Sequence, residues 1–359
     1  MIDFSEAEER CNNIFDVCLD NLNHLLNKLH INNKPSVEFH LSVVSTKMNA
    51  SASYVEDGKY TISFNYAGYV MLYNFYKEYL HRKDFFSLVS SGKKVSEKLI
   101  EGYLTLLMDI SIQLILFHEL GHVFNGHLDY LAKEKNTLTL FESDSENLGR
   151  KNALMLQALE WNADEFAATH LMPFYQIDAN CDSVYIQHPF IGSWLVLASA
   201  VTVFSFLGAG RLDDDKDSYK HKAHLPLRYR VMKILDSNMD CVETKNKYRF
   251  DFCSKDFSRQ DLLIELEKYC DSYINANFPE FGEHNPYKNW DDFDAEHEKY
   301  YLEVDQFFMN QMTEAIEPYS YLITSQYSVR CNREYMGNEY YDELKTLLEK
   351  SVGIEYKKK

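Results

Sequence analysis

The sequence predicts an α+β protein, with a small antiparallel sheet and a set of helices preceding a mostly helical C-terminal region. Three observations point there. Short segments rich in β-branched and aromatic residues cluster between 36 and 65. Apolar residues at helical spacing lie on both sides of that cluster. Two of the helical segments, around HELGH at 118–122 and EWNAD at 160–164, carry ionisable side chains within otherwise apolar surroundings.

The elements follow in order. Residues 5–31 place Ile14, Val17, Cys18, Leu22, Leu25, Leu26 and Leu29 on one helical face, and INNKPS then breaks the helix. Residues 36–44, 50–55 and 60–65 read as strands, and the EDG at 56–58 turns the last two into a hairpin. Helices are expected over 67–90 and 95–128, the second strongly apolar and running straight into HELGH. Residues 129–150 read as a polar, irregular loop, and 151–171 as a helix with a stop at Pro173. Residues 189–210 carry no charge, which fits a buried core helix or a membrane span. The small residues Gly192, Ser193, Ala198, Ser199 and Ala200 favour the core. A charged loop, RLDDDKDSYKHK, then leads into the amphipathic HLPLRYRVMKIL. We expect one domain over 1–240. The acidic, Tyr- and Phe-rich remainder, 241–359, is expected to be a helical region that regulates the first or recognises its substrate.

Composition narrows the class of function. With 359 residues and 45% apolar side chains the chain can build a sizeable core. A net charge of −18 argues against nucleic acid as partner, because phosphate recognition needs clustered Lys and Arg. The seven cysteines form no CxxC pair and are odd in number, so a reducing compartment is expected rather than a disulfide framework. The opening MIDFSEAEERCNNIF is acidic and lacks the pattern of a secretory signal, and the reading is a cytoplasmic protein starting at Met1.

Positions i and i+4 share a helix face, so His118 and His122 can present two imidazoles to one metal ion with Glu119 on the adjacent edge. Such a pair needs a third protein ligand and an open position for water, which suits zinc, one ion per chain. Glu119 is then placed as general base. A second helix should supply the third ligand, and Glu160 and Asp164 stand one turn apart on it, with Ala163 and Ala167 keeping the crossing thin. Glu160 is the expected ligand, and Asp164 the acceptor for the other ring N–H of a liganding histidine. Gly121 costs about 1 kcal/mol inside a helix, which makes sense if another backbone or a substrate must come close there. His127 competes as a ligand, but its spacing fails the longer HExxHxxGxxH pattern. It reads as a neighbour of the site or a helix-end histidine.

HELGHVFNGH at 118–127, EWNAD at 160–164 and HLPLRYR at 224–230, with MNASAS at 48–53 upstream, resemble the gluzincin peptidases of the HtpX and CAAX prenyl protease type. The two helices are also similar to ImmA/IrrE regulators and to the Lit phage-exclusion peptidases; GHLDYL after the first helix resembles Lit in particular. The resemblance spans about residues 36–235. It implies a zincin-like catalytic domain, with His118, His122 and Glu160 on zinc, Glu119 as base and Asp164 behind a ligand. It also implies that His224 lies near the oxyanion, although Leu225 separates His224 from Pro226 where that family has the two adjacent. Arg228 would order this segment or reach Asp164, or else be an exposed charge. The MNASAS segment would lie along a substrate, and a peptide backbone could add itself to an edge strand near 49–54.

The expected activity is therefore that of a zinc endopeptidase acting on a specific protein or peptide, in phage defence or stress regulation. The alternative is a non-catalytic regulator that keeps the metal fold and binds a protein partner. Membrane association through 189–210 is the lesser expectation.

Overall fold

The computed structural model describes residues 2–28, 33–82, 85, 96–141, 149–177, 189–208, 218–247, 258–279 and 295–322. Helix α1 (Phe4–Lys28) leads to strands β1 (Ser36–Ser42), β2 (Ala50–Glu56) and β3 (Lys59–Asn65). Helices α2 (Tyr66–Tyr79), α3 (Glu97–Phe124) and α4 (His127–Lys135) follow, then strand β4 (Thr139–Phe141). Next come α5 (Arg150–Ile177), α6 (Pro189–Gly208), α7 (Leu227–Lys247), α8 (Arg259–Tyr269) and α9 (Ala295–Phe307). The protein is mostly helical α+β. The expected helix over 67–90 ends at Tyr79 among the described residues, and most of 83–95 lies outside them. The C-terminal KKK, residues 209–217 of the charged loop and most of the expected C-terminal region also lie outside them.

The sheet is mixed, not antiparallel. Its order is β1-β3-β2-β4, with β1 parallel to β3 and both β2 and β4 antiparallel to their neighbours. The cause is the hairpin: the turn at Gly58, φ +75°, folds β3 back along β2, and β1 docks on the far edge of β3. Since β1 and β2 run in opposite directions, β1 must lie parallel to β3. The free edge expected near 49–54 is also absent. Ser51, Ala52 and Ser53 of β2 pair with Phe141, Leu140 and Thr139 of β4, a strand formed within the segment expected to be an irregular loop. A second correction concerns Pro173, which does not stop α5; the helix runs on to Ile177. Proline removes one backbone donor, and a helix already 23 residues into its course survives that loss near its end.

The sheet's inner face, α1, α2, α3, α5, α6, α7 and α8 share one apolar core. The uncharged segment forms α6, enclosed by α3, α5, α7 and α8 and anchored by polar contacts. Ser193 Oγ donates to Asn238 Oδ1 at 2.9 Å, and Thr202 Oγ1 lies 2.6 Å from the Tyr269 hydroxyl. Glu97–Phe124 and Phe190–Gly208 are each long and apolar enough to cross a membrane; 83% of the most apolar stretch of the second is buried inside the protein. The described C-terminal stretches join the same body. Tyr273 donates its hydroxyl to the Phe75 carbonyl at 2.7 Å, and the N–H groups of Tyr321 and Leu322 reach the Phe124 carbonyl at 2.9 and 3.2 Å. Those two bonds occupy a carbonyl that the end of α3 would otherwise leave without a helical partner.

Candidate metal centre

Two long helices make the site. Helix α3 is started by Ser96, whose side chain accepts from the Leu99 N–H at 3.2 Å, and it carries His118, Glu119 and His122 on its last turns. Helix α5 crosses it where side chains are small: Ala163 and Ala167 are fully buried, and Gly121 faces Phe166. A Cβ at Gly121 would stand 3.2 Å from the Phe166 side chain, so what comes close at that glycine is a side chain of α5 and not the backbone or substrate expected there. The crossing brings Glu160 against the two histidines.

The three candidate ligands converge. His118 Nε2 and His122 Nε2 are 3.1 Å apart. Glu160 Oε2 is 3.2 Å from the first and Oε1 is 3.4 Å from the second. All three residues are buried, and together they form a cluster able to hold a metal ion. Burial pushes the Glu160 carboxyl up, but the neighbouring His224, His122 and His118 outweigh it and hold Glu160 well below the ordinary carboxylate range.

The far nitrogens of both imidazoles are engaged as well. His118 Nδ1 is 2.9 Å from Asp164 Oδ1, and Arg230 fixes that carboxylate through Nε to Oδ2 at 2.8 Å and an Nη2 bond to Oδ1 at 2.7 Å. The same Nη2 comes within 3.5 Å of His118 Nδ1, a by-product of the shared oxygen, since Oδ1 is the only acceptor of the three. The arginine that reaches Asp164 is Arg230, not Arg228, two residues earlier. Its guanidinium is buried, 4.3 Å above the Phe204 ring. His122 Nδ1 is 3.0 Å from His127 Nδ1, and His127 Nε2 is 3.1 Å from Asn162 Oδ1. Asn125 Nδ2 donates to that same oxygen at 2.6 Å. Burial, and secondarily His122, lower His127 well below the usual histidine range, so its ring is neutral.

His224 comes to the site from the segment before α7, with Nδ1 3.3 Å from Glu160 Oε2. Gln157 of α5 holds that segment by donating to the Lys222 carbonyl at 2.8 Å, and Tyr300 of α9 in turn donates to Gln157 Oε1 at 2.6 Å. A buried pair, Lys233 to Glu165 at 3.1 Å, ties α7 to α5, with the ammonium 4.3 Å from the Trp161 ring centre. Glu119 is buried on α3 between the two histidines in sequence. Of the residues singled out in the sequence, the structure therefore brings together His118, His122, Glu160, Asp164 and His224. Sequence reasoning missed Arg230, Asn162, Gln157 and Tyr300, and it read His127 only as a neighbour. A second arginine in RYR and an asparagine inside EWNAD were visible, but nothing in their spacing said which way they face. A comparison with protein-family models, curated proteins and solved structures finds no match to this chain.

Proposed function

We propose that this protein is a zinc-dependent endopeptidase of the gluzincin type, with zinc held by His118, His122 and Glu160. The observation that supports this reading is the convergence of the three buried ligand groups, and the hydrogen-bond partners behind the two histidines suit it. Asp164 is an acceptor, so His118 carries its proton on Nδ1 and turns a lone pair outward on Nε2. Asn162 Oδ1 faces two donors, which puts the His127 proton on Nε2 and makes His127 Nδ1 the acceptor for His122 Nδ1–H. In these tautomers both Nε2 lone pairs face each other and Glu160, the arrangement in which the two rings and the carboxylate would hold a cation. Ligand atoms about 2.0–2.1 Å from a tetrahedral ion stand about 3.3 Å apart, which the separations of 3.1, 3.2 and 3.4 Å match.

Bound there, zinc supplies Lewis acidity and lowers the pKa of water. The chain's own groups do the rest. Glu119 takes one proton from the water as its oxygen bonds to the peptide carbonyl carbon, then passes that proton to the amide nitrogen as the C–N bond breaks. His224, whose Nδ1 lies 3.3 Å from Glu160 Oε2, is the donor we assign to the carbonyl oxygen as negative charge develops on it. The resemblance to Lit, HtpX and CAAX-type peptidases supports a protein or peptide substrate and a role in phage defence or stress regulation. The enclosed α6 supports a core helix, and with it the cytoplasmic reading, over membrane association through 189–210.

One observation favours the alternative of a metal-holding regulator that binds a protein partner. Glu119 and His122 are each only 1% exposed, and β4 covers the β2 edge on which a peptide would be expected to lie. An enzyme with this site must open before it acts. Metal content and cleavage of proteins in a bacterial lysate, followed for the wild type, His122→Ala and Glu119→Gln, decide between them. The peptidase reading expects one zinc in the wild type and in Glu119→Gln, none in His122→Ala, and cleavage by the wild type alone. Zinc without cleavage, also after mild proteolytic opening, favours the regulator; no zinc in folded wild type sinks both.

A further inference from the structure

We infer that His127 is a positioning residue for the metal centre, acting through His122; the inference rests on the metal reading above. In an uninterrupted helix a residue five positions on is rotated about 140° and faces away. Here α3 ends at Phe124 with Asn125 as its C-cap, Gly126 takes the left-handed conformation at φ +76°, and α4 begins at His127. The break swings the His127 ring back against His122, Nδ1 to Nδ1 at 3.0 Å, with both rings buried.

Two ring nitrogens at that distance need one donor and one acceptor. Asn162 decides which is which. Its Oδ1 already accepts from Asn125 Nδ2 at 2.6 Å and stands 3.1 Å from His127 Nε2, so the His127 proton lies on Nε2 and its Nδ1 accepts. His122 must then donate from Nδ1, which leaves its Nε2 lone pair facing Glu160 Oε1 and His118 Nε2. A relay of neutral groups, Asn162 to His127 to His122, thus does for the second histidine what Asp164 with Arg230 does for the first. The two ligands are backed unequally: His118 by a carboxylate, His122 by a neutral ring.

Zinc affinity, measured by competition with a chromophoric chelator, and the visible spectrum of the cobalt-loaded protein test this. His127→Phe keeps the ring volume and removes the acceptor, and it is expected to weaken zinc about 10–100-fold and to alter the cobalt spectrum. His127→Asn sets an amide oxygen where Nδ1 stood, and it is expected to recover most of the affinity and the wild-type spectrum. If His127→Phe does not fold, Asn162→Leu carries the test, since it removes the acceptor that orients His127 and is expected to weaken zinc in the same direction. Wild-type affinity in the loss-of-acceptor variant overturns the assignment while leaving the metal site standing, as does equal weakening in His127→Phe and His127→Asn. A folded wild type that takes up no zinc overturns both together.

Discussion

Arg230 grips Asp164 through two buried hydrogen bonds of 2.8 and 2.7 Å, and the oxygen shared with the shorter bond is the one that accepts from His118. Helix α7 is therefore joined to His118 on α3 through a carboxylate on α5. The bidentate geometry belongs to arginine; a lysine at 230 could offer only a point charge.

Arg230→Met should be among the most damaging single changes in the protein. It strands the Asp164 carboxylate in a buried place, a loss of about 3–5 kcal/mol for a broken internal pair. Urea unfolding checks the stability. Asp164→Asn should fold and bind zinc about 10–100-fold more weakly, because the group behind His118 loses its charge. If Asp164→Asn binds as the wild type does, Asp164 does not support His118.

Gly126 is where α3 must stop and α4 begin, and no other residue fits there. Its φ is +76°, and a Cβ would stand 2.5 Å from the Tyr319 carbonyl carbon. Gly126→Ala should cost at least the about 1–2 kcal/mol of left-handed strain, plus displacement of the 319–322 segment. Asn136, exposed at φ +56°, is the control: Asn136→Gly should change stability little, since asparagine already tolerates that conformation. Thermal unfolding of the two variants should separate them clearly.

Tyr300 reaches the site through Gln157, which donates to the Lys222 carbonyl and lies 3.5 Å from that of His224. Tyr300→Phe should lose about 1 kcal/mol of stability and speed amide hydrogen exchange around 222–225. Zinc content should stay unchanged, because no metal ligand is touched. A fall in zinc content would show that α9 acts on the ligands and not on the His224 segment.

The partly buried His170 lies against Phe117 and Phe166, with ring centres 5.7 and 4.3 Å away, and this apolar setting lowers its pKa to about 4. The folded state thus prefers the neutral ring. Above the unfolded value near 6.5 the fold carries no penalty; as pH falls from there towards 4 the unfolded chain takes up the proton first, and stability declines. His170→Phe should therefore flatten the loss of stability between pH 6.5 and 4, measured as urea midpoints against pH. An unchanged slope would mean that His170 titrates alike in both states.

Part of the centre was legible because helical periodicity is a local rule. The i, i+4 spacing of His118 and His122, and of Glu160 and Asp164, fixes which faces they share before any tertiary contact is known. The apolar run ahead of HELGH told which helix would be central, and the small residues of 189–210 told that neighbours would pack closely. Strand pairing was less legible. The EDG turn defined the β2–β3 hairpin, but β1 could have joined either edge, and only long-range packing chose β3 and made the sheet mixed.

What the sequence by itself determined is two pairs, His118 with His122 and Glu160 with Asp164, because each pair lies on one helix and helix geometry is set by neighbouring residues. What tertiary structure decided is everything that crosses between elements. Arg230 rather than Arg228 meets Asp164, His127 turns back on His122 at the Gly126 break, and Tyr300 steadies the His224 segment from nearly 80 residues away. These contacts depend on the angle at which helices cross and on where chains reverse, and the residues that set those angles are spread through the whole core.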